Sequence, residues 1–221
     1  FREDALSGGE LIPVYQEYLL THDTRLYHLL ILHNEDDLKG MPSILPILSY
    51  PDFLESPFRL VRQDIRREKE EKGIPVELLG LTCESDCRIP IPFSAQKTPV
   101  RCHAENSRLF LGIQLFHGTL KHFYPNYKDY YYLPYEDTAI HKSVGEYVDK
   151  AARVRATAKT CYTKQEGCFI PQPEPVWEPS LKKDWKDTLT YADFSRISLQ
   201  DPEIFRRYVA LLLKYLMAKE R

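Results

Sequence analysis

The fold of the first part of the chain is decided by residues 23–49, which read DTRLYHLLILHNEDDLKGMPSILPILS. Asp23 is suited to cap a helix, because its carboxylate can accept hydrogen bonds from the first free amides. Gly40 and Pro42 are expected to break or kink that helix, since proline lacks an amide hydrogen. Its leucines recur at the three- and four-residue spacing of an amphipathic helix, at Leu26, Leu29, Leu30 and Leu38. Residues 9–20 share the pattern, so the sequence predicts a helical N-terminal part.

The bulk composition is that of an ordinary soluble protein. The 221 residues are 43% hydrophobic and 28% charged, and the formal net charge of −2 excludes a basic, histone-like binder. No run approaches the roughly 18–20 apolar residues that span a bilayer. Five cysteines are an odd number for a disulfide framework, which favours reduced thiols. We therefore expect a cytoplasmic protein with no membrane partner.

The chain begins with Phe-Arg-Glu-Asp, which has neither an initiator methionine nor the apolar core of a signal peptide. We expect it to start at an interior point of a longer parent protein.

The pattern of apolar and polar residues changes after residue 50. A helix is expected from Pro57 to the break at Gly73, and helix signals return over 137–152 and at Asp201, where Pro202 follows the cap. Between these, residues 76–133 alternate like strands, with a hairpin expected at His117–Gly118 and another at Lys164–Gly167. The sequence predicts an α+β fold of two parts. Residues 1–50 are helical, and residues 51–221 form a mixed strand and helix region with antiparallel hairpins.

The run His33-Asn34-Glu35-Asp36-Asp37 carries the chemistry of the helical part. Residues four apart share a helix face, so His33 and Asp37 are neighbours. A carboxylate can hold a divalent ion, and a ring beside it can orient or deprotonate the attacking water of a phosphodiesterase. Such a run is more often a polar helix face. One carboxylate also cannot make a two-metal site, and no Asp-x-Glu on a strand precedes it here.

Residues Arg2–Tyr50 resemble the final third of the YprB-type ribonuclease H-like domain, a family of predicted 3′–5′ exonucleases with four acidic residues. Arg2-Glu3-Asp4 followed by Ser7-Gly8-Gly9-Glu10-Leu11-Ile12 is similar to one segment of the family. His33-Asn34-x-x-Asp37 looks like its third exonuclease motif. Residues 130–163 resemble the accessory C-terminal region of clostridial-type members.

The resemblance implies that Asp37 is a metal ligand and His33 its catalytic neighbour, with Mg²⁺ or Mn²⁺ as cofactor and DNA or RNA as substrate. The family's first and second acidic motifs would lie before Phe1. The other ligands are therefore expected from an upstream ribonuclease H-like segment of the same parent protein. This chain alone is expected to be inactive.

A second set of candidate residues interleaves basic and aromatic side chains. Single-stranded nucleic acid binds such surfaces by stacking beside a cationic groove. Tyrosines packed along strands are the alternative. The candidates are Lys121, Tyr124, Tyr127, Lys128, Tyr131, Arg153 and Arg155. The competing function is thus a non-catalytic module that binds single-stranded nucleic acid or a protein partner; a purely structural interaction domain is a third reading.

Two cysteine sites are disfavoured. Cys83, Cys87, Cys102 and His103 have poor spacing for zinc, because adjacent Cys102 and His103 would point to opposite sides of a strand. Nothing in the sequence places Cys161 beside His141 as a nucleophile with its base.

Overall fold

The computed structural model describes residues 6–69 and 75–218. The fold is α+β with antiparallel sheets, as predicted from the sequence. The chain divides into two compact units, Phe1–Asp52 and Phe53–Arg221.

The first unit is helical. Helix α1 (Gly8–Thr21) begins with a capping box, in which the Ser7 amide donates to Glu10 Oε2 at 2.8 Å. It ends at His22, whose left-handed backbone (φ 51°) lets its amide donate to the Tyr18 carbonyl. Helix α2 (Thr24–Ile44) follows after Asp23, which accepts from the Arg25 amide as predicted. The Tyr18 and Tyr27 rings, 5.6 Å apart, pack α1 against α2.

Of the break or kink predicted at Gly40 and Pro42, the break is wrong, because α2 runs through both residues to Ile44. Proline removes one donor but does not stop the helix, which turns into a short 3-10 segment only at Leu45–Leu48. Helix α3 (Ser49–Glu55) then leads into the second unit.

The second unit is built from three antiparallel sheets. One has five strands in the order β1-β2-β5-β4-β3, one has the order β11-β10-β6, and one has the order β8-β7-β9. The strands are β1 (Arg59–Lys69), β2 (Pro75–Glu84), β3 (Phe93–Lys97), β4 (Val100–Glu105), β5 (Arg108–Gln114), β6 (Phe116–Phe123), β7 (Tyr130–Leu133), β8 (Thr138–His141), β9 (Val154–Arg155), β10 (Tyr162–Gln172) and β11 (Thr190–Asp193). The helices are α4 (Lys142–Gly145) and α5 (Pro202–Met217).

The helix predicted from Pro57 is wrong, because Arg59–Lys69 is strand β1. Val61 and Ile65 are spaced four residues apart, as on one face of a helix, yet both are about half exposed. The strand lies at the edge of its sheet, where charged residues are common, and its pairing with β2 decides the conformation. Gly73, the predicted end of the helix, lies outside the described residues.

Both predicted hairpin turns are also wrong. His117 and Gly118 lie inside β6, and Gly167 lies inside β10, where it pairs with Gly118. The two glycines face each other across continuous strands and do not mark turns. The helix predicted over 137–152 is reduced to α4 and a 3-10 turn at Lys150–Ala152, because residues 138–141 pair with β7 instead.

Helix α5 closes the second unit and begins as predicted. Asp201 accepts from the Glu203 and Ile204 amides at 2.9 and 3.1 Å, and Pro202 follows at the first helical position. Tyr208 is fully buried and donates to the Pro171 carbonyl at 2.8 Å. The helix contacts β1, β3, β4 and β10, so it covers the core of the unit.

Candidate functional site

Helix α2 brings His33 and Asp37 together, as their four-residue spacing predicts. His33 Nε2 lies 3.4 Å from Asp37 Oδ2. The His33 side chain is 15% exposed and the Asp37 side chain 56%, so the imidazole is sheltered while the carboxylate remains accessible. Glu35 points elsewhere and pairs with Lys39 at 2.7 Å. Asp36 is buried at 8% exposure, a distinction among the three acids that the sequence pattern did not indicate.

An open concavity of about 500 Å³ adjoins this pair and is lined by residues of α2, namely Asp36, Asp37, Lys39, Gly40, Met41, Ser43 and Ile44. Over residues 6–69 and 75–218, no group of three or more His, Cys, Asp or Glu side chains is arranged to hold a metal ion. The side chains present therefore do not form a metal site by themselves; they offer one accessible carboxylate with a histidine beside it.

The aromatic candidates divide between packing and surface. Tyr124 stacks on Tyr130 with ring centroids 4.9 Å apart. Tyr124 and Tyr127 both pack on the small buried cluster of Ala139, Ala156 and Cys161. The structure thus uses these two tyrosines for packing.

The cationic candidates beside them are dispersed. Lys121 lies over the Tyr162 ring, 4.3 Å from its centroid. Lys128 is exposed in the 3-10 turn Tyr127–Asp129. Neither lysine belongs with the remaining candidates, which are Tyr131, Arg153 and Arg155.

Arg153 and Arg155 both lie next to Tyr131. Residues alternate across a strand, so Tyr131 faces away from Tyr130 and Tyr132. The Arg153 guanidinium lies 4.5 Å from the Tyr131 ring centroid, and Arg155 is the register partner of Tyr131 on β9. Lys142, another basic residue of the 142–164 region, also lies here, with its ammonium 5.9 Å from the same ring.

A polar cluster that the sequence did not reveal surrounds Asp137. Tyr132 and Tyr162 both donate their hydroxyl hydrogens to Asp137 Oδ1, the first at 2.5 Å, and Lys164 Nζ lies 2.5 Å from Oδ2. Lys164 and the two hydroxyls hold the pKa of the Asp137 carboxyl well below its usual range. Burial and the same carboxylate raise the pKa of Tyr162. The cluster is an ion pair between Asp137 and Lys164 that two tyrosine hydroxyls reinforce.

The five-stranded sheet carries a groove on one face. Four residues stand in register across four neighbouring strands, namely Asp64, Gly80, Gly112 and Arg101. Arg101 Nη2 reaches over these strands to a carboxylate oxygen of Glu68 on β1, at 2.8 Å. The two glycines form the floor of a groove of about 430 Å³ beneath these side chains. Its charged walls are already paired with each other.

The cysteines carry no sign of nucleophilic function. All five are free, as expected. Burial raises the pKa of Cys83 to about 12, and it also raises the pKa of Cys102 and of Cys161. Cys161 lies in the buried cluster with Ala139 and Ala156. His141, the candidate base, has its Nδ1 2.8 Å from the Ser143 hydroxyl.

One cysteine contact was not foreseen. Cys168 Sγ lies 3.7 Å from His117 Nε2, and Glu77 Oε2 lies 3.0 Å from the same nitrogen. Burial and the nearby carboxylates raise the pKa of the Cys168 thiol, so it stays protonated. Cys168 and Glu77 both contact Nε2 of His117. A catalytic relay through histidine uses both ring nitrogens.

Comparison with known proteins adds one relationship. Residues 1–49 match the RNase H superfamily. The match includes α1, α2, His33 and Asp37, and it covers 49 of the 221 residues. No curated protein and no solved structure matches the chain. Among the described residues, no helix is both long and apolar enough to cross a membrane.

Proposed function

We propose that this chain is the C-terminal part of a divalent-metal-dependent nuclease, a 3′–5′ exonuclease of the YprB type that hydrolyses phosphodiester bonds in DNA or RNA. The observation that carries the proposal is the His33–Asp37 pair, which lies inside the segment that matches the RNase H superfamily. An accessible carboxylate next to a sheltered imidazole is the arrangement that such a hydrolase needs at one corner of its site.

The surface of the helical unit supports an upstream partner segment. Its large apolar side chains are widely exposed, including Leu20 at 85%, Ile44 at 64% and Ile12 at 59%. Exposed apolar surface of this extent marks an interaction site. We place an upstream ribonuclease H-like segment of the same parent protein against these helices.

The same upstream segment would supply the remaining carboxylates. The oxygen ligand set of such a site suits Mg²⁺ or Mn²⁺, of which this chain would hold one corner through Asp37. A bound divalent ion would supply electrostatic stabilisation of the reacting phosphate. His33, held 3.4 Å from Asp37, would fix the orientation of that carboxylate and take a proton from the attacking water.

The test is Mn²⁺-dependent degradation of end-labelled single-stranded DNA by the full-length parent protein and its Asp37→Ala variant. Loss of an outer-shell group costs 10–100-fold, so loss of the ligand itself should lower the rate by about 100-fold or more. Glu35→Ala is the matched control, because it removes a carboxylate two residues away whose ion pair is with Lys39 on the same helix. Equal activity of wild type and Asp37→Ala would refute the role of Asp37.

His33→Ala separates the two residues. Removal of a general base is expected to cost about 10²–10⁴-fold in rate while the variant still requires Mn²⁺. A His33→Ala protein with wild-type turnover would restrict the proposal to Asp37.

A further inference from the structure

The outer face of the β8-β7-β9 sheet carries a cluster of cations around one tyrosine. The Arg153 guanidinium and the Lys142 ammonium both lie over the Tyr131 ring, and Arg155 stands beside Tyr131 on the next strand. Register partners in antiparallel strands point to the same side of the sheet, so all four side chains share one surface. We call these four residues the Tyr131 cation cluster.

The cluster is preorganised by the backbone. Arg153 donates a hydrogen bond to the Gly145 carbonyl at the end of α4. A side chain at Gly145 could not fit there, because its Cβ would lie 2.8 Å from Tyr131 Cδ2. The close approach of α4 to the tyrosine thus fixes Arg153 against the ring, and less side-chain freedom is lost when a ligand binds.

The positive charge of the cluster is not neutralised within the described chain. Among residues 6–69 and 75–218, none of the three cations of the cluster takes part in an ion pair with a carboxylate. The acids of the adjoining turn are Glu146, which is exposed, and Asp149, which accepts from the Ala151 amide. Three neighbouring cations repel each other, and an anion placed between them would relieve that repulsion.

An exposed aromatic residue lies in the chain segment that holds Arg153, close to Gly145. Tyr147 lies two residues after Gly145 in the turn that follows α4, and it is 90% exposed. A cationic surface next to an exposed ring binds single strands, because phosphates meet the cations while an unpaired base stacks on the ring. A duplex would offer no free base to Tyr147.

We propose that the Tyr131 cation cluster and Tyr147 form a binding surface for single-stranded nucleic acid outside the segment that contains His33 and Asp37. The choice of nucleic acid as the polyanion rests on the nuclease function proposed above.

The experiment measures binding of a fluorescein-labelled oligo(dT) to the full-length protein in EDTA by fluorescence anisotropy, over a series of salt concentrations. For single strands, log K falls with a slope of about 0.7 per phosphate contact, which corresponds to about fivefold at 0.1 M salt. Arg155→Ala and Lys142→Ala should each weaken binding about fivefold. The double variant should lose about 25-fold, with a salt slope smaller by about 1.4.

Arg206→Ala is the matched control, because it removes one exposed arginine of the same unit on α5. If it weakens binding as much as Arg155→Ala does, the surface is not specific and the proposal fails. Tyr147→Ala should lose about tenfold, and Tyr147→Phe should bind like wild type because the ring is retained. Melting curves that match wild type show that each variant is folded.

Two competitors identify the ligand class. Unlabelled duplex of the same length should compete more weakly than the single strand, and poly-glutamate should compete more weakly still. Equal competition by poly-glutamate would assign the surface to acidic peptides, and preference for the duplex would exclude single-strand binding.

Failure of this surface and failure of the proposed function are distinguishable. Binding in EDTA without degradation in Mn²⁺ refutes the nuclease and leaves the surface standing. Degradation in Mn²⁺ with unchanged binding by Arg155→Ala refutes the surface alone.

Discussion

At the scale of single residues, Asp137 shows how much one carboxylate can organise. Its backbone is left-handed, with φ 51°, at the turn between β7 and β8. From there it accepts from two tyrosine hydroxyls and one lysine, which come from β7 and β10. Tyr162 and Lys164 are 25 and 27 residues further along the chain, so no local pattern could have revealed the cluster.

Replacement of Asp137 by asparagine keeps the left-handed turn, which asparagine tolerates, and removes the charge. The pKa of Asp137 is lowered by folding, so its stabilising contribution is present above about pH 4 and is lost as the pH falls through the lower folded-state value. We expect Asp137→Asn to lower the free energy of unfolding by about 1 kcal/mol at pH 7, allowing for solvent screening. The difference should shrink at pH 3 in urea denaturation. An undiminished difference at pH 3 would show that charge is not the cause.

His33 and Asp37 mark the opposite case. Their contact follows from helix periodicity alone, which is why the sequence predicted it. The roles proposed for them do not follow from spacing, and the part of the chain that the structure describes holds no group of three or more possible metal ligands around them.

At the scale of elements, strand β1 shows why local patterns mislead. Residues 59–69 are rich in charge and carry apolar residues at helical spacing, yet they pair with β2 along nearly their whole length. The pairing partner is as informative as the segment itself, since strand propensity depends strongly on context. The caps at Asp23 and Asp201 were predictable because a cap needs only residues within one turn.

Gly112 offers a test of the groove on the five-stranded sheet. A Cβ there would lie 2.8 Å from Arg101 Nε, so Gly112→Ala must displace Arg101 from its bond with Glu68. We expect a loss of up to about 1 kcal/mol in the free energy of unfolding, because the pair is half exposed.

The control is the same substitution in an Arg101→Ala background, where the obstructing side chain is gone. There Gly112→Ala should be neutral or stabilising, because alanine has less backbone freedom to lose. Equal effects in both backgrounds, measured as a double-mutant cycle by chemical denaturation, would show that the Arg101 contact does not matter.

At the scale of the whole molecule, the second unit has hydrophobic clusters of its own. Phe53 is fully buried and packs edge-on against Phe58, with ring centroids 5.2 Å apart. Its helix α3 begins at Ser49 and must be retained if the unit is to keep this contact.

Residues 49–221 should therefore fold without the first unit. We expect a single cooperative thermal transition and near-ultraviolet circular dichroism typical of fixed aromatic side chains. A companion chain that starts at Ser56 lacks Phe53 and should lose about 3–5 kcal/mol, as a large core truncation does. If residues 49–221 lack a cooperative transition while the whole chain shows one, the units are not separable.

Helix α5 has a consequence for synthesis of the protein. Phe205, Tyr208, Val209, Leu212 and Leu213 are all buried, and they fill space between strands made much earlier. In a nascent chain that stops before Pro202, that space would be empty and the side chains around it would be exposed to solvent. The ribosome must therefore deliver Met217 before the second unit can close, and prematurely terminated products would present an apolar surface to chaperones and proteases. The position of this helix thus makes its synthesis a condition for a stable second unit.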